Sequence, residues 1–153
     1  EGQAIQQESF RWHIDLAREL DKTLVIHDRD SHDDVISVLL DQGAPKRVVF
    51  HCFSGDADMA RVCAEHGWFM SFAGVITFGS AEGLREALRA VPDDLLLVET
   101  DAPYLTPKPN RGRVNATYLM PWTVRRMAEE RDVDVEQLCD DIVANTHRAF
   151  GHW

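Results

Sequence analysis

The chain has 153 residues, 44% of them hydrophobic and 8% aromatic, which is enough for one compact core and too little for two. Its formal net charge of −10 excludes a surface that holds nucleic acid by phosphate neutralisation alone, so a polyanionic substrate would need bound cations to offset repulsion. No apolar run reaches the length of a membrane span, and the odd set Cys52, Cys63 and Cys139 has no CxxC spacing, which fits a reducing cytosol better than a disulfide framework or a thiolate zinc site.

The cysteines are expected to be small buried hydrophobes in a reducing, cytoplasmic setting, with no membrane partner. The N-terminal stretch has neither a signal-peptide core nor a basic leader, and it opens on Glu1 rather than Met, so a piece of something longer is expected.

In chain order, residues 3–21 carry Phe10, Ile14, Ala17 and Leu20 at helical spacing among charges and predict an amphipathic helix. TLVIH (23–27) predicts a strand buried on both faces. Asp30 or Ser31 is placed to cap a helix running to about 42, where Gly43 and Pro45 stop it, and KRVVFH (46–51) predicts a second strand. Asp56 opens a helix to about 66, and WFMSFAG from 68 predicts a third strand. Ser80 is placed to cap a helix to about 90, which Pro92 terminates, and LLLVETD (95–101) predicts the fourth strand. A loop over 102–114 leads to a helix over 118–131 with Pro121 in its first turn, and Asp134 caps a last helix to about 144 with a further turn to 150. Trp12, Trp68 and Trp122 are expected to pack, and Trp153 to be a frayed chain end.

Short apolar strands alternating with helices at a nearly constant step predict βα units and a parallel sheet whose carboxyl ends share one edge. That edge carries the chemistry of such sheets. Three of the four strands end in metal-competent side chains, His27, His51 and Asp101. Imidazole and carboxylate together suit zinc, manganese or iron, and three protein ligands leave positions for water and substrate. A lone histidine at a strand end is more often a hydrogen-bonded structural residue, and Asp101 also fits as the cap of a turn at Pro103. Glu99, two residues before Asp101, points to the same side of an ideal strand and is expected to support the ligands or to pair with an arginine. His13, His32, His66, His147 and His152 are given no role.

The segments "QQESFRWHIDLARELDKTLVIHDRD", "VVFHCFSGD", "LLLVETDAPYLTPKPNRG" and "ANTHRAFG" resemble, in order and across essentially the whole chain, the TatD family of metal-dependent deoxyribonucleases. The resemblance implies a TIM-like (βα) barrel of the amidohydrolase type, two divalent metal ions per complete site (Zn, Mn, Mg or Fe), and hydrolysis of DNA phosphodiester bonds. It implies His27, His51 and Asp101 as metal ligands, Asp101 also as the catalytic activator of water, and Arg29 and Arg111 as contacts to substrate phosphate.

The family also carries an HxH pair after its first strand and a glutamate in a GEIGLD-like motif after its fourth, and this sequence contains neither. The resemblance therefore covers strands five to eight plus the closing helices. Residues 1–153 are expected to form a single, truncated domain lacking the N-terminal half of the barrel, with two open sheet edges that invite the missing half or a second copy of the chain. Where the family often shows an asparagine and a glutamate, "RVNATYL" keeps Asn115 but has Ala116, so little substrate contact is expected there. The alternatives are a barrel hydrolase of another ester, lactone or amide, and a non-catalytic remnant.

Overall fold

The computed structural model describes residues 2–152, and the expectation for Trp153 lies outside the described residues. Strands β1 (Leu24–His27), β2 (Val48–His51), β3 (Phe69–Phe72) and β4 (Leu96–Val98) pair in parallel and in chain order. Helices α1 (Gly2–Glu19), α2 (His32–Gln42), α3 (Ala57–Glu65) and α4 (Glu82–Ala90) alternate with them, and α5 (Met120–Arg131) and α6 (Val135–Phe150) close the chain. The βα reading of the sequence holds throughout. No helix among the described residues is long and apolar enough to cross a membrane.

Strand periodicity assigns each side chain its layer. Ile26, Phe50, Met70 and Leu96 share one face and are buried against the helices, where they meet Ile14, Leu39, Cys63, Leu88, Met127 and Leu138. Val49, Phe69 and Leu97 face the other way and pack on Ala149 of α6. β1 departs from the expected two-sided burial: Val25, in register with Val49, is 52% exposed because no element among the described residues lies over it.

The end of α6 fastens the amino-terminal edge of the sheet. The Thr23 hydroxyl, just before β1, donates to Ala149 O, and the buried Asn145 donates both amide hydrogens, to Asp93 O and Leu96 O at 2.7 Å each. The carboxyl edge is left open.

Helix ends follow side-chain chemistry with two corrections. Asp56 accepts from Met59 N at 2.9 Å, and Asp134 accepts from Glu136 N and Gln137 N, as their positions predict. Ser80 caps nothing: α4 begins at Glu82, with Ala81 at the cap position. Ser31 occupies the cap position of α2, but its hydroxyl donates to Arg29 O. The buried carboxylate of Asp28 takes over, accepting from Ser31 N at 3.3 Å and lying 2.6 Å from His32 Nδ1, so His32 has a structural partner. The helix expected over 118–131 is preceded by a 3-10 turn over Thr117–Leu119.

The fourth strand is shorter than LLLVETD suggests. Glu99 N donates to Phe72 O at 3.0 Å, and beyond it Asp101 turns left-handed at φ +53°, which takes 99–101 out of the ladder. Of the residues expected to pack, Trp68 is buried, whereas Trp12, Trp122 and Leu20 are exposed. Trp12 meets His13 edge to face, and Trp122 lies under the Arg125 guanidinium. Cys63 is buried, Cys52 half-buried, and Cys139 exposed on the outer side of α6.

Candidate metal centre

Parallel register sets His27 beside His51 at the ends of β1 and β2, with ring centroids 5.5 Å apart. His51 lies two residues beyond Val49 and Glu99 two beyond Leu97, so both point to the face away from the main core. Among the described residues, His51, Glu99 and Asp101 offer ligand atoms that all lie within 4.8 Å of one another, and each side chain is half-buried. His27 stands next to this group on the sheet edge, more exposed, and outside it.

The distances define two sides of the His51 ring. Nε2 faces Asp101 Oδ1 at 3.7 Å, and Nδ1 lies 2.6 Å from Glu99 Oε1. That second contact is within ion-pair reach, yet Oε1 is buried and accepts no hydrogen bond, so the ring N–H and the oxygen do not line up. The other oxygen, Oε2, accepts from Cys52 N at 2.9 Å, which fixes the carboxylate. A buried, orphaned carboxylate oxygen against an imidazole nitrogen is a costly arrangement that a cation would relieve. The donor set, one imidazole and two carboxylates, fits a divalent metal.

The backbone is strained at the same edge. Cys52 follows His51 at φ +46°, and Asp101 sits at φ +53°, both in the left-handed region that non-glycine residues rarely adopt. Burial pushes the Cys52 thiol up to about 12, with the negative charges of Glu99 and Asp101 adding to the rise. Asp101 does not cap the following turn through its side chain: Ala102 N donates to Thr100 Oγ1, and the turn closes through Tyr104 N to Asp101 O.

Each of the two arginines has surroundings of its own. Arg29 is exposed and lines, with His27, Phe10, Gln6 and Asp34, a groove of about 580 Å³ between α1, β1 and α2. The Arg111 guanidinium stacks on the Phe78 ring at 3.8 Å, which leaves its N–H edges open to a ligand. Two residues given little or no weight in the sequence are fixtures of this edge. Ser54 of HCFSG donates to Asp28 O at 3.0 Å, tying the turn after His27 to the turn after His51. Asn115 is 4% exposed and bonds into the loop that bears Asp101. Its only signal in the sequence was its place in RVNATYL.

The model of the TatD-related DNase family matches residues 1–151. The chain belongs to the TatD family. It is 48% identical over 147 residues to the metal-dependent hydrolase TatD of Mycobacterium tuberculosis, covering 96% of this chain and 56% of that protein. It is 41% identical to the metal-dependent hydrolase YcfH of Escherichia coli, covering 95% and 55%. Among solved structures, the TatD homologue YjjV of Escherichia coli superposes with a TM-score of 0.85 at 26% identity over 92% of this chain and 54% of that one. A TatD-family hydrolase of Entamoeba histolytica shares the fold, with a TM-score of 0.81 at 17% identity over 95% of this chain and 56% of that one. The chain spans about half the length of the relatives it matches. Within this TatD-family chain, His51, Glu99 and Asp101 are the candidate metal-binding triad.

Proposed function

We propose that these residues form part of the active site of a deoxyribonuclease, with His51, Glu99 and Asp101, and His27 beside them, holding divalent metal and Asp101 acting on the attacking water. The observation that carries this reading is the convergence of His51, Glu99 and Asp101 within 4.8 Å on the open carboxyl edge of a parallel sheet. Divalent cations bound there supply Lewis acidity toward the phosphate and acidify a coordinated water.

The chain's own residues do the rest. Glu99, its Oε2 pinned by Cys52 N, stands against the Nδ1 side of His51, and Nε2 is the nitrogen turned toward Asp101. Asp101 takes the proton of the attacking water on its carboxylate as the water oxygen bonds to phosphorus. The ester P–O bond breaks, the leaving oxygen takes a proton from solvent water, and Asp101 returns its proton to solvent. Arg111, held on Phe78, and Arg29 are the cations placed to meet phosphate oxygens that an acidic chain would otherwise repel.

The metal ions are two in the complete site, and the remaining ligands come from sequence beyond this chain. Four parallel strands then make up strands five to eight of a (βα) barrel, which the N-terminal half or a second copy completes at the open edges of β1 and β4. A cytoplasmic location accords with the thiols.

The test is cleavage of single- and double-stranded DNA by the longer protein with and without chelator, beside an Asp101→Asn variant and a panel of lactones and amides. Metal-dependent cleavage that Asp101→Asn reduces by roughly 10²–10⁴-fold is expected. Full activity in Asp101→Asn, or turnover of lactones or amides with none of DNA, would overturn the reading.

A further inference from the structure

Asp101 reaches its place against the usual preference of the backbone. It follows the last ladder bond of an edge strand, stands at φ +53°, and begins a turn that reverses the chain by Tyr104. The carbonyls on either side of that turn, Thr100 O and Tyr104 O, have left the sheet and need donors. One side chain supplies both: Asn115 Nδ2 donates to Thr100 O at 2.7 Å and to Tyr104 O at 2.6 Å. The same residue donates its backbone N–H to Pro103 O at 3.1 Å, and its Oδ1 accepts from Ala116 N at 2.9 Å. This last bond fixes which end of the amide is oxygen, so the NH₂ group must face the two carbonyls.

We infer that Asn115 is a positioning residue that sets the direction of Asp101 by clamping the backbone on both sides of it. The inference rests on the proposed role of Asp101 at the metal centre. Asparagine is the residue that the geometry requires. Two donors on one planar group span the mouth of the turn, and the 4% exposure of the residue leaves no water to substitute for them. Aspartate has the same shape but would set a carboxylate against two carbonyl oxygens. Serine has one donor and falls short of both.

A second buried asparagine provides the control. Asn145 also donates two hydrogens to two carbonyls, Asp93 O and Leu96 O, but at the opposite end of β4. A merely structural loss at either site lowers stability, whereas only a loss at Asn115 moves Asp101.

Asn115→Asp, Asn115→Ser and Asn145→Ser are made in the 153-residue chain. Two quantities are read in each: the backbone conformation of Asp101, from its NMR couplings and Cα shift, and the zinc affinity, by equilibrium dialysis. The expected result is that both Asn115 variants move Asp101 out of the left-handed region and weaken zinc binding by roughly 10–100-fold, as loss of a support to a metal ligand does. Asn145→Ser is expected to lower the Tm and change neither. An Asp101 backbone unchanged in the Asn115 variants, or a loss of zinc affinity no greater than in Asn145→Ser, would overturn the inference. Should Asn115→Asp not fold, Asn115→Ser carries the same comparison. If the unmodified chain binds no zinc, the metal-centre reading fails, and the Asp101 backbone alone decides the role of Asn115.

Discussion

At the residue scale, the structure gathers His51 and Asp101 with Glu99 at the strand ends and leaves His27 outside that group. Position at a strand end is visible in a sequence because turn residues and apolar runs mark where each strand stops. Which neighbour then approaches depends on the path of the loop, and Asp101 at φ +53° and Cys52 at φ +46° bend that path in ways no local pattern announces. Glu99 is therefore drawn to His51 as closely as any expected ligand, while His27 stays on the rim. His32 was equally illegible, since its partner Asp28 is set by burial rather than spacing. Cys63 gives a prediction at this scale. Burial, reinforced by the charge of Asp28, pushes its thiol from the ordinary 9.0 up to about 12. A folded-state value above the unfolded one stabilises the fold fully below pH 9 and progressively less as pH rises toward 12. Denaturant melts from pH 8 to 11.5 are expected to show that alkaline loss, and Cys63→Ala to show a flatter slope. An identical slope in both proteins would contradict the assignment. Thiol labelling is expected to modify the exposed Cys139 first and Cys63 only on unfolding.

At the element scale, the loop after β4 is anchored by contacts to its neighbours. A Cβ on Gly74 would meet Leu105 O at 2.0 Å, and Lys108 N donates to Thr77 Oγ1 at 2.9 Å, so the loop rests on the turn that follows β3. Gly74→Ala is expected to cost roughly 1–3 kcal/mol and to shift the amide resonances of 103–108; a variant as stable as the parent with those resonances unmoved would disprove the contact. Asn145→Ala is expected to destabilise by about 1–3 kcal/mol, because two buried carbonyls lose their donor, and urea unfolding measures it. Element identity was legible from periodicity, helix stops from Gly43 and Pro92, and two caps from Asp56 and Asp134. The errors lay where a competing side chain or a turn replaced the local rule: Asp28 for Ser31, a left-handed Asp101 that ends β4 before 99–101, and a 3-10 turn before α5.

At the scale of the whole molecule, the sheet has an amino-terminal edge fastened by α6 and a carboxyl edge carrying the candidate site, and its inner face is covered at β2, β3 and β4 but bare at Val25. Burial on both faces of β1 was the natural reading of TLVIH, and it fails because what lies over a strand is a tertiary fact. An open parallel edge next to an exposed apolar face favours self-association, so the chain is expected to show concentration-dependent sedimentation that Val25→Lys reduces with little change in stability. Unchanged association in that variant would place the contact elsewhere. The central claim is that His51, Glu99 and Asp101 hold a divalent cation, and equilibrium dialysis of the chain against zinc and manganese, beside Asp101→Asn and Glu99→Gln, tests it most directly. The account predicts saturable binding by the unmodified chain that each substitution weakens by at least about tenfold. Binding that neither substitution alters, or no binding at all, would contradict it.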